Sequence, residues 1–536
     1  MKQLLERAAI AASVLLVCSL NAVIFTGSAL AQTAPPTCPP PAPKVTAMAA
    51  ARFLQQAGFG PNSTSVCEVQ TLGFSAWIDA QIAIPSSQWS VIPNYTIDLN
   101  GNATLAPTQQ GFFVNAVNGD DQLRQRTALA LSEILVVSRV KLIPQAVVPY
   151  LKLLQSDAFA TYDKLLYDVT LSPAMGHYLD MVNNDNGPSP DENYAREVLQ
   201  LFSIGLYNLD TYGNVLKDAN GNAIPAYTQS TVEGFASLFT GWTYGVNAGV
   251  TPKWTDPANW LVPMVAIESH HSTSPKVLLN GYTTPANQTA ELDLQDGLNN
   301  IFTHPNVGPF ICRQLIQRLV TSSPSPGYVH RITGVFNSAP RGNMAAVIKA
   351  ILLDPEARTG DLGAENLSTK LREPILWMSA FLRGLNATVG SPNNLPVKGA
   401  NLGQEIYAPA TVFSYFHPGY QISTGGQQHN APEFELLSDA TSASAADLAG
   451  IFAYFPANAG VTIDLSSYIT PLGPAPTAAQ INALVTSLNT ALMGGRMPTY
   501  MFNAIVTAVT AEKTPTAIVQ TAVYLIGSSW NYQVER

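Results

Sequence analysis

The sequence predicts a mainly α protein, a large multi-helix globular fold with a small β-hairpin insertion and long loops. Three observations carry that expectation. The composition, 46% hydrophobic against 12% charged over 536 residues, belongs to a chain that buries an extensive core. Apolar residues recur at three- and four-residue spacing in several stretches. Helix start and stop signals bracket the clearest of those stripes.

Taken from the N-terminus, Lys2 and Arg7 precede an apolar stretch from Ala8 to Phe25, and Ala29-Leu30-Ala31 supplies small residues for cleavage. This pattern reads as a secretory signal peptide over residues 1–31, cleaved after Ala31, with an uncleaved anchor as the alternative. It places the mature chain in the bacterial periplasm or outside the cell. Residues 32–44 form a proline-rich linker, TAPPTCPPPAPK at its heart, which fits neither helix nor sheet interiors. An oxidising compartment permits Cys38 to pair with Cys67, though an unpaired tail cysteine fits equally. Residues 45–536 are read as a single large helical domain, with no apolar run long enough to span a membrane.

Within that domain Met344, Val347, Ile348, Ile351 and Leu352 share a helical face. Ile375, Met378, Leu382 and Leu385 do the same behind Pro374, which suits a first helical position. Thr477 and Gln480 have capping-box spacing ahead of Ile481, Leu484, Val485 and Leu488, and Gly494-Gly495 suits the stop. Cys312 falls on a stripe with Ile316 and Leu319, which predicts a buried small hydrophobe rather than a nucleophile. Between Tyr207 and Tyr227, Asp218-Ala219-Asn220-Gly221-Asn222 predicts a β-hairpin with an Asn-Gly turn. The segment resembles the start of a calcium loop, but Ala223 and Gln229 stand where that loop needs glycine and glutamate. Residues 245–300 and 386–430, rich in Gly, Pro, Asn and Thr, read as long loops over the helical body.

The densest polar cluster is Ser189-Pro190-Asp191-Glu192-Asn193-Tyr194-Ala195-Arg196-Glu197. Ser189 and Glu192 have capping-box spacing, Pro190 fits the first helical position, and Asp191 suits the positive end of the helix dipole. Asn193, Glu197 and Gln200 then fall on one face, with Glu192 and Arg196 paired on the next. Carboxylates beside an arginine can do acid-base work, because unlike environments push their pKa values apart; a salt-bridged helix end is the structural alternative. The candidate catalytic residues are therefore Glu192, Arg196, Glu197, Asp191 and His177, the last expected to share a pocket with Asp180. Asn193, Tyr194, Gln200 and Trp242 are the candidate ligand-binding residues, Trp242 as one of a loop group with Tyr244, Trp254 and Trp260.

Other chemistry is excluded or weak. No GxSxG, GxxxxGK[ST] or strand-linked GxGxxG occurs, and no HExxH or CxxC pair marks a zinc site. Glu268, His270 and His271 lie together in a stretch that reads as a solvated loop, with a metal site completed by a distant carboxylate as the alternative, while His304 and His417 suit local turn hydrogen bonds. The net charge of −9 disfavours nucleic acid as a partner.

The segments ARFLQQAGFGP, DQLRQRTALALSEILVVS, PDENYAREVLQLFSIGLY, YTQSTVEGFASLFTGW, HPNVGPFICRQLIQRLVTSSPSP, ILLDPEAR, KLREPILW and SSWNYQVER together resemble the bacterial family known as domain of unknown function 1800. The likeness runs from about Ala50 to Arg536. It implies a mostly helical secreted protein, accompanied by a co-exported protein that looks sulfatase- or phosphatase-like, and it supplies no substrate, cofactor or catalytic residue. Asp191 to Glu197 is the most distinctive polar motif of the resemblance. The chain departs from the family at His270-His271-Ser272-Thr273, where histidine followed by aspartate is expected, which counts against a metal site at His271. Two functions are carried forward: an extracytoplasmic hydrolase or lyase acting on a surface or environmental polymer, and a non-catalytic binding or assembly partner of a co-exported enzyme.

Overall fold

A computed structural model describes residues 39–40, 42–87, 104–362 and 370–535. The segment expected to be a signal peptide, Cys38 and most of the proline-rich linker lie outside the described residues. Helices dominate, as the apolar spacing predicts, and the strands form only two-stranded antiparallel sheets. The buried apolar residues make one contiguous core from Ala50 to Tyr532.

The expected stripes are buried. Met344, Val347, Ile348, Ile351 and Leu352 are all fully enclosed in the helix Met344–Leu353. Pro374 opens the helix Pro374–Gly384, which buries Ile375, Met378 and Leu382. Thr477 closes its capping box with Gln480, and Gly494 ends that helix in the left-handed conformation that glycine alone adopts without cost. Cys312 is buried and free, and burial pushes its thiol far above the usual range. Cys67 is disulfide-bonded.

The hairpin region holds two turns rather than one. Bridges join Tyr207 to Pro225, Leu209 to Val215 and Lys217 to Ala223. Asp218 accepts hydrogen bonds from the N–H groups of Asn220 and Asn222, both at 2.9 Å. Asp210 does the same for Tyr212 and Asn214, at 2.9 Å each. The aspartates thus spend their oxygens on local backbone, which is why the loop resembles a calcium loop without being one. The two long loops need correction. Residues 290–302 form the helix Ala290–Phe302, started by Thr289. Residues 386–430 contain the helix Leu395–Asn401 and the hairpin Gln421–Thr424 with Gln427–Asn430. Their polar composition leaves little apolar periodicity to mark these elements in the sequence. Among the described residues no helix is long and apolar enough to cross a membrane.

Candidate functional site

The polar helix runs from Asn193 to Gln200, three residues later than Pro190 suggests, and Ser189 and Glu192 form no capping box. Asp191 instead forms a local side-chain turn just ahead of the helix. Its carboxylate accepts from the Asn193 N–H at 2.8 Å, while its own N–H donates to Asn184 Oδ1 at 2.8 Å. Asp191 is therefore a backbone organiser that fixes where the helix begins.

Glu192 and Arg196 form the expected ion pair at 2.7 Å. Gln229 closes the arrangement: its Nε2 donates to both Glu192 oxygens at 3.0 and 2.9 Å, and its Oε1 accepts from Arg196 at 3.2 Å. The pair is partly exposed and contributes about 1 kcal/mol or less to stability. Glu192 and Glu197, five residues apart, lie about 140° apart around a helix. The expected Glu192–Glu197 acid-base pair is thus replaced by two separate groups, one of them occupied by Arg196 and Gln229.

The face of Asn193 and Glu197 carries the more reactive set. Asn193 Nδ2 donates to Asp180 at 2.9 Å. Asp180, held at φ 60° just after the helix Pro173–Tyr178, also receives Lys141 Nζ at 2.9 and 3.0 Å. Lys141 donates in addition to the Tyr178 carbonyl at 2.7 Å. Glu197 is half-buried, and burial raises its pKa despite the opposing pull of Arg196. Its Oε2 is enclosed without a hydrogen-bond partner among the described residues, and so is the hydroxyl of Tyr227. Burial raises the phenols of Tyr178 and Tyr227, and the Glu197 charge adds to both. Gln200 is half-buried on the same helix.

His177 stands next to this group. Its Nδ1 meets the Tyr244 hydroxyl at 2.8 Å, and its ring packs edge-on to Trp260 at 5.5 Å. Burial and then Lys141 lower its pKa, with Asp180 opposing, so the imidazole is neutral at neutral pH. Asp180 and His177 are thus electrostatic neighbours, with Lys141 holding the carboxylate directly.

Two expected ligand-binding residues are core residues instead. Tyr194 is 1% exposed, packs on Phe239, and shares a 2.6 Å hydrogen bond with Thr170. Trp242 is 2% exposed in a strand paired with Ala266. Helical geometry turns Tyr194 inward once Asn193 and Glu197 face out. Tyr194→Phe is expected to lower unfolding free energy by about 1 kcal/mol in a denaturant titration and to leave ligand binding unchanged.

The histidine-rich stretch also differs from a solvated loop. His271 is 1% exposed; Nε2 meets Asp293 at 2.9 Å and Nδ1 meets the Thr240 carbonyl at 2.9 Å. The aspartate absent from the next sequence position thus arrives from the helix Ala290–Phe302. Lys276 bonds the same Asp293 oxygen, so a cation already occupies the charge. His270 stacks on Trp254 at 4.0 Å and bonds Asp185 at 3.1 Å, while Glu268 accepts from the Ala290 N–H at the start of that helix. Among the described residues no three His, Cys, Asp or Glu side chains group as a metal site. His304 does make the expected local bond, to the Asn306 N–H at 3.2 Å. His417 instead reaches Glu435 at 3.1 Å, across the loop.

A second concentration of charge is announced by no spacing or capping pattern. Arg126, Arg318, Lys370 and Arg372 are buried with Glu133, Glu373, Glu433 and Glu535, equal numbers of each sign. Lys370 Nζ lies 3.4 Å from Glu373 and 3.3 Å from Glu433. It also donates to the carbonyls of Gln317 and Arg318 at 2.9 and 2.7 Å, capping the C-terminus of the helix Val307–Leu319. Arg318 faces Glu133 at 3.4 Å. Gln404 Nε2 spans Glu133 and Glu373 at 3.3 and 2.8 Å. The two-residue sheet of Lys370-Leu371 with Val534-Glu535 ties the chain's end to this network.

Fold and site together define a large, mainly helical protein with a half-buried carboxyl on a polar helix, one oxygen of it unpartnered among the described residues, and a buried ion network in its core. A family model described as protein of unknown function (DUF1800) matches residues 52–534, and the chain belongs to that family. No curated protein and no solved structure matches the chain.

Proposed function

We propose that the protein is an exported hydrolase or lyase acting on a cell-surface or environmental polymer, with Glu197 as its general acid. The observation that carries this reading is the enclosed Glu197 Oε2, which has no hydrogen-bond partner among the described residues. Buried polar atoms are ordinarily satisfied, and an exception calls for a reason. A raised carboxyl pKa gives one, since it keeps a proton available closer to neutral pH. Asp180 and Lys141 lie on the open side, where they can orient a polar substrate. Glu192, Arg196 and Gln229 hold the helix in place. His177, Tyr244 and Trp260 offer an adjoining aromatic wall, suited to sugar rings.

A non-catalytic partner of a co-exported sulfatase- or phosphatase-like enzyme is the alternative. Exposed apolar side chains on the hairpin arm, Leu206, Tyr207, Tyr212, Val215 and Leu216, favour it. The test is turnover of a panel of bacterial surface and extracellular polysaccharides by the mature chain, read as new reducing ends or as the ultraviolet absorbance of unsaturated products. Turnover supports the enzyme; none across the panel leaves the partner reading.

Export itself rests on the N-terminal pattern, with the disulfide at Cys67 in keeping with an oxidising compartment. N-terminal sequencing of the protein from a periplasmic or culture fraction is expected to begin at Gln32. Recovery only from cytosol, starting at Met1, removes the proposal.

A further inference from the structure

Lys276, Asp293 and His271 share no residue with the Glu197 surface or the core ion network, and their side chains are 1%, 0% and 1% exposed. Lys276 Nζ and His271 Nε2 both meet Asp293 Oδ2, the imidazole at 2.9 Å. Three separate backbone elements hold them there. The Lys276 N–H donates to Thr284 Oγ1 at 3.1 Å, and its carbonyl accepts from the Thr284 N–H at 3.0 Å. Asp293 lies in the first turn of the helix Ala290–Phe302. His271 packs so closely on Gly241 that a Cβ there would come within 2.8 Å of the His271 Cβ. Amine and carboxyl are thus kept in contact and away from water, the condition under which two groups react as if at very high concentration.

The hydrogen bonds limit where the protons can be. The Thr240 carbonyl can only accept, so His271 Nδ1, 2.9 Å away, carries a hydrogen. One proton must then lie between Nε2 and Oδ2, since two bare lone pairs would repel at 2.9 Å. Lys276 Nζ has two acceptors among the described residues, Oδ2 and the Ser272 carbonyl, one fewer than an ammonium can use. Asp293 Oδ1 is enclosed with no partner among the described residues. An ion pair here leaves an ammonium hydrogen and a carboxylate oxygen unmet where water does not reach them. Passing one proton from Nζ to Asp293 ends that conflict. The acid O–H then donates to Nε2, the amine gives its two hydrogens to Oδ2 and the Ser272 carbonyl, and the nitrogen lone pair is left for attack.

From this geometry we propose that Lys276 and Asp293 join in an intramolecular amide bond, with His271 relaying the proton. The Nζ lone pair forms a bond to Asp293 Cγ. His271 Nε2 takes the proton that the nitrogen gives up and delivers it to Oδ2. The Cγ–Oδ2 bond breaks, its electron pair leaving with Oδ2 as water, and Oδ1 remains as the amide oxygen. Ammonium and carboxylate thus become one amide and one water, with no oxidant, reductant or outside acid consumed. A neutral amide is also cheaper to keep in a dry interior than two ions with unmet hydrogen bonds. The bond ties the loop at Lys276 to a helix residue 17 positions on, restricting the unfolded chain as a disulfide does. It does not depend on the Glu197 chemistry.

The test is peptide mapping of the unaltered full-length protein by mass spectrometry after denaturation and trypsin digestion. Lys276 is the only trypsin site between Lys253 and Arg313, and Cys312 in that span is free, so no disulfide enters its mass. The expected product is residues 254–313 uncut after Lys276 and lighter than their sequence by one water, with fragment ions linking Lys276 to Asp293. Lys276→Arg keeps a cation at that position but cannot form the amide; its span should be cut there and carry the full sequence mass. Folded His271→Gln should leave most of the span at full mass, and linking as complete as in wild type removes the relay. Cleavage after Lys276 with a full-mass span overturns the proposal. So does a missing water placed elsewhere, such as a succinimide at Asp293 that leaves Lys276 cleavable, or one that persists in Lys276→Arg.

Discussion

Glu373→Gln is expected to destabilise the protein by about 3–5 kcal/mol, whereas Glu133→Gln is expected to cost about 1 kcal/mol or less. The two carboxyls are neighbours bridged by Gln404, yet the network treats them oppositely. Burial raises Glu133, the Glu373 charge raises it further, and Arg318 offsets only part. Burial also pushes Glu373 up, but Lys370 and then Arg318 outweigh it and hold the group down at about 2. These directions favour the proton of the pair on Glu133 and the charge on Glu373. Glutamine keeps a neutral side chain of the same shape there, with an oxygen to accept from Gln404. At position 373 it deletes a charge and leaves the cations around it in excess, which a low-dielectric interior penalises heavily.

The pH dependence follows with its sign. Glu373 is depressed, so its contribution is present above the ordinary glutamate value of about 4.3 and is lost as pH falls through about 2. Glu133 is raised, so its contribution is complete below about 4.3 and is lost as pH climbs through its folded value. The Glu133→Gln protein should therefore gain on wild type in guanidinium denaturation as the solution becomes alkaline. Equal damage from both substitutions at neutral pH would mean that Glu133 carries a charge, and the one-proton arrangement would fail.

Periodicity exposed the helices because burial of a helix repeats along the chain. The faces around Met344, Pro374 and Ile481 are legible for that reason, as is the capping box at Thr477. The core ion network is not periodic. Arg126, Arg318, Lys370 and Glu535 are scattered along the chain, and each looks like an ordinary surface residue in its own segment. They do fall within the family-like segments around DQLRQRTALALSE, CRQLIQRL, KLREP and YQVER, so the signal present was motif membership rather than spacing. The polar helix was legible as a unit, with Asn193 and Glu197 on one face and Glu192 paired to Arg196. Its start was misplaced because Asn184 competes for Asp191 from outside the segment. Lys141 is not legible in the sequence, since only the fold brings it to Asp180 beside Asn193. His271 and Asp293 were hidden for the same reason.

Glu197→Gln should lower kcat on whichever polymer the wild type cleaves by about 10²–10⁴-fold, with the fold intact. The substitution keeps shape and removes only the transferable proton, so a loss of rate without loss of structure isolates the acid. Stability supplies a readout that needs no substrate. Burial raises the Glu197 pKa, so the folded state favours the protonated carboxyl; that contribution is full below about 4.3 and is lost as pH rises through the folded value. Glutamine cannot ionise, so the variant's Tm should match wild type in acid and exceed it progressively toward alkaline pH. Activity should decline over the same alkaline range if Glu197 donates the proton. A rising limb there instead would make Glu197 a base. Unchanged turnover in the variant would remove Glu197 from the chemistry, and a variant that unfolds would make the carboxyl a structural element of the helix.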